Sequence, residues 1–439
     1  MQVLKFGGTS VGSAERIKSV GKLINNDEKK IVVLSAMSGT TNSLVEIADY
    51  LYKKNHDSAN EAIINLEQKY YTVIEELFSS EEFKEKGIEL IKSHFNYIKS
   101  FTQDMFTLYE EKAILAQGEL LSTALMHFYL NENKIDSVLL PALNFMRTDK
   151  DSEPDLFYIK ENIKREIESQ PNNKLFITQG FICRNSFGEI DNLKRGGSDY
   201  SASLIGAGIE ANEIQIWTDI DGMHNNDPRV VNNTHPIENL SFDEAAELAY
   251  FGAKILHPAS IQPAKVANIP VRLKNTMQPE ATGTLVSSKS NNKGITAIAA
   301  KDNITAIKIK SGRMLLAHGF MRKVFEIFET YKTSIDMITT SEVAVSVTID
   351  DTKYLNDIVD ELKKYGTVEV DKNLSIICVV GDFIAESKGY ALKIFSALEN
   401  ISIRMISYGG SKHNVSLLVN TSDKKDALVS LNKNLFENV

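Results

Sequence analysis

Short apolar runs alternate with amphipathic stretches over the first two thirds of the chain. Residues 3–6, 31–35, 138–140, 175–182, 214–218 and 269–273 are rich in Val, Ile, Leu and Phe, and helical stretches separate them. This alternation predicts buried strands of a largely parallel sheet with helices on both faces, a layered α/β domain. Ligands of such a domain gather at the carboxyl ends of the strands. Between 44 and 130 the strand signal gives way to charged helical pattern. There Ser79-Ser80-Glu81-Glu82 reads as a capping box, and Ile88, Ile91, Phe95, Ile98 and Met105 as the apolar stripe of a helical subdomain. The stripe reads as core and carries no chemistry.

Residues 287–294 are small and polar, and predict a linker between a domain over 1–286 and a region over 295–439. Beyond the linker the chain repeats itself. Gly319-Phe320 and Gly389-Tyr390 each open a helical stretch, and Ser334-Ile335-Asp336-Met337-Ile338 answers Ser402-Ile403-Arg404-Met405-Ile406. The two halves, 304–370 and 374–439, each predict a ferredoxin-like α+β unit.

With 43% hydrophobic and 24% charged residues in 439, the chain has the composition of a folded protein rather than a disordered one. Its net charge of −9, without a basic run, excludes nucleic acid or an anionic membrane as the main partner. No stretch approaches the ~18 apolar residues of a membrane span, and no leader pattern opens the chain, so a soluble cytoplasmic protein is expected. Cys183 and Cys378 lie far apart in apolar runs, as buried thiols do, and no zinc-ligand spacing occurs.

An anionic ligand therefore needs a local cationic pocket. The first strand runs into Lys5-Phe6-Gly7-Gly8-Thr9-Ser10 ahead of a helix opened by Ser13. Paired glycines let backbone N–H groups approach a phosphate, the helix start adds its dipole, and Lys5 adds a mobile charge. The same device recurs in Arg195-Gly196-Gly197-Ser198-Asp199. Arg195 offers a fork for a carboxylate, while Asp199 orients Lys5, holds Mg²⁺ through water, or pairs with Arg195.

Residues 34–42, including Thr41, are small or hydroxyl-bearing and suit an oxyanion or a substrate carboxylate. Glu119, read at a helix start, binds an ammonium group or complements the dipole. Thr218 and Asp219 at a strand end, Asp227-Pro228-Arg229, and Lys254 at a helix end supply polar groups and cations for a nucleotide. Lys5, Arg229, Lys254 and the glycine turns thus specify phosphates, and Arg195 with Glu119 an α-carboxylate and α-ammonium. A carboxylate acceptor is already ionised at neutral pH and needs no general base. Transfer then reduces to aligning two anions and neutralising the charge on the moving phosphoryl group, with Mg²⁺ bridging the nucleotide phosphates.

In this order Lys5-Phe6-Gly7-Gly8-Thr9-Ser10, Gln117-Gly118-Glu119, Arg195-Gly196-Gly197-Ser198-Asp199, Trp217-Thr218-Asp219, Asp227-Pro228-Arg229 and Phe251-Gly252-Ala253-Lys254 resemble aspartate kinase. The resemblance covers essentially the whole chain, is strongest to the monofunctional lysine-sensitive form, and makes the repeats similar to tandem ACT domains. It implies an amino-acid-kinase fold that transfers the γ-phosphoryl group of ATP to the β-carboxylate of L-aspartate. The product is 4-phospho-L-aspartate, at the first step of lysine, threonine and methionine biosynthesis. By motif position it implies Lys5 and Asp199 in the transfer step, and Thr41, Glu119, Arg195 and Ser198 on aspartate. It implies Lys5, Gly7, Gly8, Thr218, Asp219, His224, Arg229, Lys254 and Ile255 on ATP. Met314, Phe320, Met321, Ile335, Asp336, Ser341 and Glu342 are similar to positions that line a lysine effector pocket, and a homodimer or higher homo-oligomer through the ACT domains is implied. His224 stands where many relatives have tyrosine, and Leu316 where one has histidine. Two other readings stay open, a sensor of the same fold without turnover and a kinase of another acidic amino acid.

Overall fold

A computed structural model describes residues 1–103, 105–193, 196–252, 256–289, 294–312, 318–382 and 384–437. The chain divides into two compact units. The first is Met1–Met223 with Ile255–Lys289, and the second His224–Lys254 with Ser290–Val439. The chain crosses between the units at 223/224, 254/255 and 289/290; only the third crossing falls within 287–294, and the grouping of 224–254 with the second unit has no signal in the sequence pattern.

The first unit opens with β1 (Gln2–Phe6), α1 (Ala14–Ile24) and β2 (Lys30–Leu34). Four helices follow, α2 (Thr40–Tyr52), α3 (His56–Leu77), α4 (Glu81–Ser100) and α5 (Leu108–Glu132). Then come β3 (Val138–Leu140), α6 (Leu156–Glu168), β4 (Leu175–Gln179), the hairpin of β5 (Ile182–Arg184) and β6 (Ile190–Asn192), α7 (Gly197–Ile209) and β7 (Glu213–Thr218). Residues 224–254 carry β8 (Asn239–Ser241) and α8 (Phe242–Tyr250), after which α9 (Gln262–Val266), β9 (Val271–Asn275) and β10 (Thr284–Ser287) complete the first unit.

Its sheet runs in the order β3-β4-β2-β1-β7-β9-β10. All pairs are parallel except β10 on β9. The five residues of β2 and of β4 are buried throughout, as expected of strands covered on both faces. β1 lies between β2 and β7, with Lys5 opposite Val33 and Ile216. The apolar run 175–182 is broken by Gly180 and by Phe181, whose φ of 65° is left-handed, so it becomes the end of one strand and the start of another.

Helices α2 to α5 form the predicted helical layer, with Leu44, Tyr70, Ile74, Ile91, Phe95 and Leu125 in its core. Two local readings are corrected. Met105 lies outside α4 and is 84% exposed, so the stripe ends at Ile98. The N-cap of α4 is Ser80 without a side-chain cap bond; instead the Glu132 carboxylate accepts from the N–H groups of Ser79 and Ser80. Cys183 and Cys378 are both free and buried. Among the described residues no helix is long and apolar enough to cross a membrane.

The second unit continues through β11 (Gly294–Lys310), α10 (Phe320–Thr330), β12 (Ile338–Thr340), β13 (Ala344–Ile349), α11 (Leu355–Leu362) and β14 (Thr367–Asp382). It ends with α12 (Tyr390–Ala397), β15 (Ile403–Tyr408), β16 (Asn414–Asn420) and α13 (Lys424–Asn432). Gly319 and Gly389 are the N-caps of α10 and α12, at φ 82° and 89°, where a side chain would be strained.

Both repeats share one antiparallel sheet of order β12-β13-β11-β14-β16-β15. Two long strands pass from one repeat to the other. Residues 306–310 of β11 pair with β13 and with 367–371 of β14, whereas 294–304 pair with 374–382, which also hold β16. Ile298 accordingly packs with Ile377, Ile394 and Leu417 in the core of the second repeat, and Ile307 with Val324 and Val347 in that of the first. The expected bounds of 304–370 and 374–439 leave out this strand, which precedes the first repeat and completes the second.

Candidate active site

β1 carries Lys5 to the carboxyl end of the parallel sheet. Neighbouring residues of a strand face opposite ways, so Phe6 stacks on Trp217, with ring centroids 5.6 Å apart, while Lys5 turns to the other face. There its Nζ lies 2.6 Å from Oδ1 of Asp199, in the first turn of α7. The structure thus brings the two predicted transfer residues together.

The glycine turn works by room rather than by its first donor. The N–H of Gly7 is committed to the Trp217 carbonyl at 3.2 Å, and Ser13 caps α1 by accepting from Arg16 N. A Cβ on Gly8 would sit 2.9 Å from the Ala36 carbonyl oxygen, which is why the turn passes so close to the loop after β2. Nearby, the starts of α2 and α7 both lack a side-chain cap. Their N-caps, Gly39 and Gly196, are left-handed at φ 79° and 64°.

Between these helix starts lies a cavity of about 320 Å³, lined by Gly8, Ser35, Thr41, Asn42, Glu119 and Ser198 among others. Ser35 Oγ donates to Ser198 Oγ at 2.9 Å, and Ser122 Oγ donates to the Ser35 carbonyl at 2.7 Å. Glu119 projects from the middle of α5, not from a helix start, which removes the dipole reading. Its Oε1 accepts from Ala36 N at 3.1 Å, while Oε2 is buried and has no partner. Burial pushes this carboxyl up to about 7, against the pull of the Ala36 N–H and the Lys5 charge. An unpaired buried carboxylate oxygen is costly, and an incoming ammonium group would satisfy it.

Gly180 and Phe181 were not singled out from the sequence. Phe181 lines the cavity, and a Cβ on Gly180 would lie 2.4 Å from the Ser198 side chain. The available signal was the glycine interrupting an apolar run at the carboxyl end of a predicted strand. Thr218 and Asp219 stand at the end of β7, where Thr218 Oγ1 donates to Asp219 Oδ1 at 3.0 Å. Arg195, Lys254, Ile255, Met314 and Leu316 lie outside the described residues.

The remaining predicted residues belong to the second unit. His224 Nδ1 lies 3.0 Å from Thr234 Oγ1. Arg229 is not a bare cation: its fork donates to Asp227 at 2.9 and 2.8 Å, and it is largely exposed. Phe320 is buried in the first repeat's core, with Met321 and Ile335 packed against that core. Ser341 and Glu342 are exposed, and Ser341 lines an open groove of about 620 Å³ with Lys308, Lys310 and Thr339. The Asp336 carboxylate is buried, ion-paired to Lys301 through Oδ1 at 2.7 Å, and its Oδ2 has no partner.

Residues 1–275 match the model of the amino acid kinase family, and residues 377–435 that of an ACT domain. Over 99% of its length the chain is 34% identical to lysine-sensitive aspartokinase 3 of Escherichia coli strain K12, covering 99% of that protein. The chain belongs to the aspartokinase family. The folds agree as well as the sequences. E. coli aspartokinase III in its T-state complex with lysine and aspartate superposes with a TM-score of 0.84 at 33% identity, over 99% of both chains. Its R-state complex with aspartate and ADP gives 0.83 at 34%, over 99% of this chain and 100% of that one. The amino-acid-kinase fold with carboxyl-terminal ACT domains expected of an aspartokinase is therefore the fold observed.

Proposed function

We propose that this chain is an ATP-dependent aspartate kinase that transfers the γ-phosphoryl group to the β-carboxylate of L-aspartate and is inhibited by lysine. The observation that carries this reading is the largely buried Lys5–Asp199 pair beside a cavity into which Glu119 brings an unsatisfied carboxylate oxygen. Glu119 takes the α-ammonium of aspartate, Arg195 its α-carboxylate, and Thr41 and Ser198 hydrogen-bond the bound substrate. The acceptor carboxylate attacks without a base. Lys5, kept in place by Asp199, neutralises the negative charge that spreads over the transferring group.

Gly7 and Gly8 let the phosphates approach the end of β1, and Thr218 and Asp219 border the nucleotide; by motif position His224, Arg229, Lys254 and Ile255 are further nucleotide candidates. Among the described residues no three His, Cys, Asp or Glu side chains group as a metal cage. Mg²⁺ is accordingly read as part of the magnesium–ATP complex, with Asp219 as the exposed carboxylate at the strand end suited to its water shell. Bound there, it would neutralise phosphate charge. Asp336 is the effector's anionic partner, with Met314, Phe320, Met321, Ile335, Ser341 and Glu342 around it, and the ACT repeats join copies of the chain as a homodimer or larger assembly.

ADP release measured with aspartate, with glutamate and without acceptor, each with and without lysine, tests the reading. Turnover with aspartate alone, suppressed by lysine, is expected. Equal rates without acceptor, preference for glutamate, or no turnover at all would reject it, the last in favour of a sensor.

A further inference from the structure

Helical periodicity marks the α2 to α5 layer as core, yet α3 sends two adjacent polar side chains onto the loop that forms one wall of the cavity. Lys69 donates through Nζ to the Ser38 carbonyl at 2.6 Å. Tyr70, fully buried, shares a 3.0 Å hydrogen bond with Thr40 Oγ1. The two contacts bracket Gly39, the left-handed N-cap whose helix start has no side-chain cap, and the position of a Cβ on Gly39 lies 3.5 Å from the Lys69 ammonium. Thr41 and Asn42, in the first turn of α2, line the cavity together with Glu119 and its unpartnered Oε2. Gly118 closes the loop from the α5 side, since a Cβ there would meet Ala36 at 2.7 Å and Thr40 at 3.3 Å.

We infer that Lys69 and Tyr70 are positioning residues for the acceptor: they clamp residues 38–40 from outside and hold the α2 helix start at the distance from Glu119 that aspartate requires. The inference rests on the reading of this cavity as the aspartate site. A lysine here serves two ends. Its bond fixes the carbonyl of the turn, and its charge stands behind a helix start that faces a substrate bearing two carboxylates. Lys69 is exposed along its stem, and partial burial where its ammonium meets the loop draws its pKa down. Tyr70 lies in the field of Glu119, and its phenol fixes Thr40 from behind the cavity wall. Neither Lys69 nor Tyr70 lines the cavity, and each acts on it through residues 38–40.

Michaelis constants for aspartate and for ATP, measured on the full-length parent, Lys69→Met, Lys69→Arg and Tyr70→Phe, test this. Lys69→Met and Tyr70→Phe are expected to raise KM for aspartate by about fivefold or more, with KM for ATP within about twofold of the parent. Lys69→Arg, which keeps the charge and a donor, restores most of the loss. A parental KM for aspartate in Lys69→Met and Tyr70→Phe, or equal increases for both substrates, overturns the positioning role while leaving the aspartate site standing. A parent without aspartate-dependent turnover overturns the site and this inference together.

Discussion

Tyr250, the last residue of α8, donates its phenolic hydrogen to Oδ1 of Asp336 at 3.0 Å. Lys301 reaches the same oxygen while lying over the Tyr250 ring, 4.7 Å from its centroid, and it also contacts Asp350 at 2.9 Å. Burial and the Asp336 charge hold the Tyr250 phenol up at about 12, so it remains a donor. Two residues on, Gly252 packs so closely on β11 that a Cβ would meet the Ala300 carbonyl oxygen at 2.2 Å. The carboxylate proposed for the effector is therefore tied to the helix that leads toward Lys254.

Asp336→Ala is expected to relieve lysine inhibition while leaving uninhibited turnover largely unchanged. Tyr250→Phe, which deletes one hydrogen bond and keeps the ring, is expected to shift half-inhibition about fivefold. Lysine titrations of both variants check this; a parental midpoint in either removes the link.

Glu119 sets a pH dependence whose sign follows from its raised pKa. The free enzyme holds a proton on this carboxyl below about 7, and aspartate's ammonium needs the ionised form. KM for aspartate is therefore expected to fall as pH rises toward 7 and to level off above it, as initial rates from pH 5.5 to 8.5 will show.

The same shift links to stability in the opposite sense. A carboxyl raised in the folded state stabilises it fully below the unfolded pKa near 4.5, and that contribution is lost as pH climbs through about 7. Glu119→Gln removes the buried charge and is expected to raise unfolding stability at pH 8 by up to about 3 kcal/mol while abolishing aspartate binding. Thermal melts at pH 5 and pH 8 decide it, since an equal change at both pH values contradicts the linkage.

Lys5→Ala is expected to lower kcat by about a thousandfold or more with the fold retained, because the charge acts mainly in the transition state. Loss of Lys5 also removes a charge that holds the Glu119 pKa down, so the pH profile of KM for aspartate moves upward. Near-normal kcat, or an unmoved profile, would remove the role.

Gly180→Ala tests the cavity wall. The new Cβ meets Ser198 at 2.4 Å, and the α7 start must shift, raising KM for aspartate about tenfold. An unchanged KM would show that Ser198 can give way.

Much of this site was legible because its residues sit in short motifs, Lys5 at a strand end, Asp199 in the first turn of a helix and Glu119 within one, where each could be singled out. Lys69 and Tyr70 were not, because helical periodicity reports which face is buried and says nothing of which loop the face touches. Ser80 misled for a related reason: its expected cap is replaced by Glu132, more than fifty residues away. The repeats were visible as internal similarity, but strand pairing is not encoded locally, and the crossing of β11 and β14 between them left no mark in the pattern.

That crossing has a practical meaning for anyone who would graft effector sensitivity from one enzyme to another. Cutting between 370 and 374 severs a continuous β14 and strips the second repeat of its 294–304 partner, so neither half is an independent cassette. The transferable part is the pair taken whole, with both long strands intact.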